Sequence, residues 1–305
     1  MDTKIYDIIK QVLDRNILDE KLKKYICNCM LKKQSEGFLF SQLIEIHYKL
    51  FGGDSEGEII NISAALECLL LSLDIIDDIQ DEDDISSSLF DMENANLLNV
   101  STLLMFISQQ LLNECSSPFK KNITTYYTTL TMRGIEGQHL DINNVLADEN
   151  NYIDMVGKKS GSFTALAALI GTALATDVYP YSSILDYSID IGIASQLLND
   201  AIDIQRIEEK NDIFKKKITL PIIFILGHPN SKLKLLKSYV NEEINYDNLL
   251  LQKQTLLQEI TDSKAIEYTM LQREFYLQRA LNTIESINFP RPELKPKLIE
   301  FVKGR

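Results

Sequence analysis

Apolar residues recur along most of this chain three and four positions apart, the spacing of one face of an α-helix. Alternating strand patterns and two-residue hairpin turns are hard to find. The periodicity predicts helices at about 3–15, 19–34, 38–51, 58–84, 94–115, 118–140, 150–176, 181–208, 217–227, 231–241, 246–261, 264–287 and 292–303. Ser117-Pro118 reads as an N-cap with Pro at the first helical position. Tyr179-Pro180 and His228-Pro229-Asn230 read as breaks, and Pro290, Pro292 and Pro296 set off a short terminal helix. No low-complexity linker divides the pattern. The expectation is an all-α protein with a single domain over residues 1–305.

Composition changes this picture little. With 45% hydrophobic and 25% charged residues, the 305-residue chain is ordinary for a globular protein and long enough for one big domain or two smaller ones. The net charge of −13 argues against a nucleic-acid partner, whose phosphates need a basic surface. It leaves room for a small anionic substrate, because lysines and metal ions can invert the potential inside one cavity. Cys27, Cys29, Cys68 and Cys115 form no CxxC pair and have no neighbouring His, so they read as structural thiols of a reducing compartment. The first residues, MDTKIYDIIKQVLDR, lack the apolar core of a signal peptide. The most apolar stretch, Gly161 to Thr176, is shorter than the roughly 18–20 residues of a spanning helix and reads as a buried core helix. A cytoplasmic location is expected, with membrane association of the complex left open.

Two acidic clusters carry the chemistry. Asp74, Asp77, Asp78 and Asp81 lie at i, i+3, i+4 and i+7, a single helical stripe. Gln196, Asn199, Asp200 and Asp203 repeat the geometry more than a hundred residues later. Like charges at these spacings repel by a few tenths of a kcal/mol per pair. The first stripe also approaches a helix end expected at Ser86-Ser87-Ser88, where the helix dipole is negative. Each cluster rises out of a run too apolar for a surface helix, Leu69 to Leu73 and Ile191 to Leu198. Divalent cations would relieve the repulsion, and hard carboxylate oxygens suit Mg²⁺, which completes its shell with water and substrate phosphate. Lys159, in Lys159-Ser160-Gly161, and Lys217, in Lys217-Ile218-Thr219, are both read as standing at helix starts. Free backbone N–H groups and a lysine at such a start make a phosphate site.

In order and spacing, Asp77-Asp78-x-x-Asp81, Gly137-Gln138-x-x-Asp141, Lys159-Ser160-Gly161, Gln196-x-x-Asn199-Asp200-x-x-Asp203 and Lys217-x-Thr219-Leu220-Pro221 resemble the trans-isoprenyl diphosphate synthases. The resemblance covers roughly residues 40–225. It implies a helical bundle around a deep central cavity, usually in a homodimer. The implied chemistry is loss of diphosphate from an allylic substrate, assisted by three Mg²⁺ ions, followed by alkylation of a nucleophile. On that basis Asp77 and Asp81, beside Asp78, bind two metals, and Asp200 with Asn199 and Asp203 binds the third. Lys159 and Lys217 hold the diphosphate, while the Ser160 hydroxyl and Gln196 amide face the cation.

Departures from the pattern narrow the reading. Chain-elongating synthases carry a Gly-Gly-Lys-Arg-like stretch before the first Asp motif and an Arg pair after it, which bind isopentenyl diphosphate. The corresponding stretches are read here as Gly52-Gly53-Asp54-Ser55-Glu56 and Asp84-Ile85-Ser86-Ser87-Ser88. Each charge-assisted contact is worth about 1.5–3 kcal/mol, so several lost together remove most affinity for a diphosphate acceptor. This combination resembles the ComQ-type tryptophan prenyltransferases, which modify a tryptophan in a pheromone precursor peptide. His47-Tyr48-x-x-Phe51-Gly52-Gly53 and Gly137-Gln138-His139 agree with it. A neutral indole needs no phosphate-binding bases. With no Trp in the chain, the acceptor Trp comes from a partner peptide. A short-chain polyprenyl diphosphate synthase and a non-catalytic partner subunit remain alternatives, the former because the Asn199 and Lys217 motifs stay close to ordinary synthases.

Prenyl length depends on what fills the cavity one turn before Asp77. Those positions are Ser72 and Leu73, with Leu69 beneath, and none is aromatic. A farnesyl chain is expected, and geranyl also fits. His47 is read as structural or as part of the acceptor pocket, His139 first as packed or on the surface with cavity lining beside Gln138 as the other role, and His228 as a turn residue. Tyr126 and Tyr127 are read first as core, with cation stabilisation through their ring faces as the other role.

Overall fold

The computed structural model describes residues 2–81, 92–143, 148–207, 213–227 and 234–304. There the periodic segments become α1 (Asp2–Asn16), α2 (Glu20–Glu36), α3 (Leu39–Leu50), α4 (Gly57–Asp81), α5 (Asn94–Asn113), α6 (Lys120–Ile142), α7 (Glu149–Val156), α8 (Ser162–Ala175), α9 (Tyr181–Asp203), α10 (Leu220–Gly227), α11 (Leu235–Val240), α12 (Tyr246–Leu250), α13 (Lys253–Ser263), α14 (Ala265–Ser286) and α15 (Lys295–Lys303). No strand occurs among the described residues, so the all-α expectation holds.

Some boundaries move for identifiable reasons. The segment expected as one helix over 150–176 contains a π-helical turn, Gly157–Gly161, that joins α7 to α8. Neighbouring helices press on that turn from two sides. A Cβ at Gly137 of α6 would run into the Lys159 backbone nitrogen, and one at Gly192 of α9 would lie 2.5 Å from the Gly161 Cα. Only glycine permits either approach. Ser117 is not the N-cap of α6. Its Oγ accepts the Phe119 N–H at 3.2 Å, and Phe119 itself stands at the N-cap. The segment 246–261 is two helices, α12 and α13, because a turn at Leu251 and Gln252 interrupts a buried pattern (Leu249, Leu256, Ile260) that looks continuous in sequence. The helix end expected at Ser86 to Ser88 and the break at His228-Pro229-Asn230 lie outside the described residues.

Helix α4 organises the core. Its Leu66, Leu69 and Leu70 enter the main cluster with residues of α3, α6, α8, α9 and α14. Its Ala64, Ala65, Cys68, Leu71 and Ile75 enter a second cluster with α1, α2 and α5. A helix packed on both sides has no polar face, which is why α4 reads as apolar all round until its acidic end. By length and composition α4 and α5 could each cross a membrane. The apolar window of α4 is 72% buried inside the protein, as expected of a central helix. A third cluster gathers Ile204, Ile222, Leu236, Leu249 and Ile260 around α10–α13. All four cysteines are free thiols.

Candidate active site

Helices α4, α6 and α9 end, and α8 begins, around one cavity of about 630 Å³. Asp77 and Gln80 from α4, Gln138 from α6, Lys159 and Ser160 from the π-turn, and Gln196 and Asn199 from α9 form its polar end. One helical turn further in, the lining is Leu73, Gly134, Ile135, Phe163, Gly192 and Ser195. Leu43, Leu70 and Met105 lie deeper still. The two acidic helices therefore share one chamber.

Ion pairs stitch the polar end together. Lys159 Nζ lies 2.7 Å from Asp141 Oδ2 and 3.3 Å from Asp77 Oδ1. Lys217 Nζ lies 2.5 Å from Asp81 Oδ2 and 3.9 Å from Asp141 Oδ2. The Gln138 amide also donates to Asp77. Burial lowers the Lys159 pKa, but Asp77 and Asp141 outweigh it and leave the group above its ordinary value. Burial raises the Asp81 carboxyl despite the opposing charge of Lys217. On the other wall, Ser160 Oγ donates to Gln196 Oε1 at 3.1 Å, and Gln196 Nε2 donates to Asp200 Oδ1 at 3.0 Å. The buried Tyr152 hydroxyl donates to Asp200 Oδ2. Asp203 Oδ1 lies 3.6 Å from Arg206.

Several expectations need correction. Lys159 stands inside a continuous helical path rather than at a helix start, so no free N–H groups surround it. Lys217 does precede a helix, α10, by three residues. The four-acid stripe divides: Asp74 and Asp77 line the cavity and Asp81 joins Lys217, but Asp78 lines nothing in the cavity. Asp74 is held by Lys33 of α2 at 2.6 Å. Of the three prenyl-pocket residues only Leu73 lines the cavity. Leu69 is buried in the main core, and Ser72 faces α5, its hydroxyl 3.1 Å from Ser101 Oγ. Leu70, one position along, takes the place expected for Leu69, because 100° per residue puts 70, 73 and 77 on one face.

Gly52–Glu56 does not line the cavity either. The opposite end of α3 does, through Leu39, Phe40 and Leu43, and the rest of the helix carries the glycines about 13 Å beyond Leu43. At that far end Arg291 pairs with Asp54 at 2.7 Å. Residues 84–88, read as the second lost basic stretch, lie outside the described residues. His47 is fully buried, its Nδ1 2.8 Å from Leu43 O and its Nε2 against the Tyr187 hydroxyl, so it is structural. His139 is exposed beside Asn143, and Tyr126 and Tyr127 bond to Tyr179 and Ser108, away from the cavity.

Two participants carry little sequence signal. Asp141, shared by both lysines, is visible in the chain only as part of a resembling motif. Tyr152 looks like any core aromatic.

The acids fit a metal that takes part of its shell from substrate. Among the described residues no three His, Cys, Asp or Glu side chains converge on one point as a ready cage. Mg²⁺ does not need one, since it commonly uses one or two carboxylates and fills the rest with water and phosphate oxygens.

The match to a family model described as "Polyprenyl synthetase" spans residues 39–253. The chain is 28% identical over 303 residues to the Tryptophan prenyltransferase ComQ of Bacillus subtilis subsp. natto (strain BEST195), covering 99% of this chain and 92% of that protein. It is 27% identical over 302 residues to the Tryptophan prenyltransferase ComQ of Bacillus subtilis (strain 168), covering 97% and 98%. Among solved structures, a geranylgeranyl pyrophosphate synthase superposes with a TM-score of 0.81 at 19% identity, over 100% of this chain and 99% of that one.

Proposed function

This chain belongs to the polyprenyl synthetase family and is a prenyl-transferring enzyme; we propose that it takes an allylic diphosphate, with Mg²⁺, and alkylates a tryptophan of a pheromone precursor peptide. The observation that carries the acceptor is the charge distribution of the cavity. Lys159, at the acidic end, is the only cationic side chain among the described lining residues. Away from that end the lining is mainly apolar, with Leu39, Phe40 and Phe301 on the α3–α15 side. Among the described lining residues one diphosphate finds a cationic partner there and no lining cation is left for a second, whereas an indole is at home on such a surface. The two similar tryptophan prenyltransferases support the same acceptor.

In this mechanism Asp77 and Asp81 on one wall, and Asp200 with Asn199 and Asp203 on the other, would hold the metal ions, three in number by resemblance. Bound Mg²⁺ supplies positive charge for the departing diphosphate. Lys159 and Lys217 turn from their aspartates to the diphosphate oxygens, adding charge-assisted hydrogen bonds as negative charge develops there. Tyr152 and Gln196 orient the Asp200 carboxylate, each donating to one of its oxygens. Ser160 Oγ and Gln196 line the cavity where polar lining gives way to apolar, and by resemblance they would face the carbon that becomes cationic. The apolar lining keeps water from that carbon, so the indole is the nucleophile that reaches it, and the departed diphosphate takes up the proton that the alkylated tryptophan releases. Exposed apolar side chains on α5 and α6, among them Phe106 at 68% and Met132 at 58%, support a homodimer.

Purified protein with Mg²⁺, an allylic diphosphate and a Trp-containing peptide should yield peptide heavier by one prenyl group. Unmodified peptide together with efficient elongation of the same diphosphate by isopentenyl diphosphate would replace this reading with a short-chain synthase.

A further inference from the structure

The apolar half of the cavity is not symmetrical. On α4 the lining continues from Asp77 through Leu73 to Leu70, and on α9 from Asn199 to Ile191. At 1.5 Å per residue these spans are about 10 and 12 Å deep. On the α6–α8 side it stops earlier, at Gly134 and at Phe163 with Thr164, one turn below Gln138 and Ser160.

Phe163 closes that side. Its ring reaches across from α8 to α6, where the Cε2 and Cε1 atoms lie 2.6 and 3.1 Å from the place a Cβ at Gly134 would take, and Cζ lies closer still. The ring tip therefore rests in the notch that glycine leaves, and Phe163 packs against the buried main cluster. An isoprene unit adds four chain bonds of about 1.5 Å each, roughly 5 Å of extended reach. Two units span about 10 Å and match the depth that remains along α4. Three units span about 15 Å and would have to pass the ring.

We propose that Phe163, seated on Gly134, sets the prenyl chain length that this cavity accepts and favours ten carbons over fifteen. This rests on the prenyl-diphosphate reading above, and it replaces the expectation that a cavity without an aromatic floor takes farnesyl. The aromatic comes from α8 rather than from the turn before Asp77.

Two substitutions should push in opposite directions. Phe163→Ala removes the barrier and lengthens the cavity. Gly134→Ala fills the notch and drives the ring tip further into the cavity, shortening it. In the double variant the Gly134→Ala effect should vanish, because there is no ring left to move. Phe163→Leu, which keeps an apolar side chain in the core, gives a second lengthening variant if Phe163→Ala does not fold.

The test is calorimetric binding of geranyl, farnesyl and geranylgeranyl diphosphate with Mg²⁺ to each protein, with circular dichroism to confirm the fold. Wild type should bind geranyl diphosphate about 10-fold more tightly than farnesyl diphosphate. Phe163→Ala or Phe163→Leu should erase or reverse that ratio, and Gly134→Ala should steepen it. Folded variants with the wild-type ratio, or a wild type that prefers farnesyl, would overturn the role of Phe163 and leave the prenyl-diphosphate reading intact. A wild type that binds none of the three would remove that reading, and the length gauge with it.

Discussion

Lys217 and Asp81 stand 136 positions apart in the chain, yet their charged atoms are 2.5 Å apart. The pair is largely covered, with 12% and 15% of the two side chains exposed, and it ties the acidic end of α4 to the segment entering α10. Replacing Lys217 by Met should leave Asp81 beside Asp77 with its strongest counter-charge gone. Stability should fall by about 2 kcal/mol in urea unfolding at neutral pH. A loss within a few tenths of a kcal/mol would show that the pair contributes nothing to folding.

Asp77→Ala should lower turnover by at least about 100-fold, the scale on which one preorganised electrostatic contact acts. The fold should survive, because Lys159 keeps Asp141 at 2.7 Å. Steady-state kinetics and thermal melting read the two effects separately. Near-wild-type turnover would place the metal elsewhere.

Tyr152→Phe removes the donor to Asp200 Oδ2 without changing the ring that fills the core. A hydrogen bond to a charged acceptor is worth roughly 1.5–3 kcal/mol, so unfolding should be easier by that amount. The Mg²⁺ concentration for half-maximal diphosphate binding should also rise, which loss of packing alone would not produce.

Stability between pH 4.5 and 6.5 should depend on two opposing buried groups. Burial raises the Glu67 carboxyl from 4.5 to about 7, although Ser41 donates to it through N–H and hydroxyl. Lys33 and Asp74 face it with opposing effects. A raised carboxyl favours folding at low pH, and that contribution is lost as pH rises from about 4.5 through 7. Burial lowers His47 from 6.5 to about 4, against a hydrogen bond to Leu43. A lowered imidazole favours folding above 6.5, and that contribution is lost as pH falls toward 4. In the overlap the two slopes cancel. Glu67→Gln keeps an oxygen for Ser41 but no longer titrates, so stability should then rise with pH by about 1.4 kcal/mol per unit across the overlap. A flat profile in the variant would mean that the two groups are not balanced in this way.

The acids, the lysines and the helical class were legible in the chain because each is a local property. Carboxylates at i, i+3 and i+4 share a helical face wherever the helix goes, and apolar period announces burial. The face that looks into the cavity was harder to read. Leu69 and Leu70 are alike as letters, and only the packing of α5 against Ser72 decides that Leu70 faces the substrate side. Gly52-Gly53 looked like the place of a lost basic loop, but α3 carries it to the far end of the bundle.

By itself, the amino-acid order determined an all-helical protein with two carboxylate-bearing helices and two lysines suited to a diphosphate. Tertiary structure alone decided that Asp141 joins both lysines, that Tyr152 braces Asp200, and that Phe163 crosses to Gly134. The reason is physical. Periodicity reports which side of a helix avoids water, whereas these contacts depend on how closely two helices approach, and that distance is set by side chains from both.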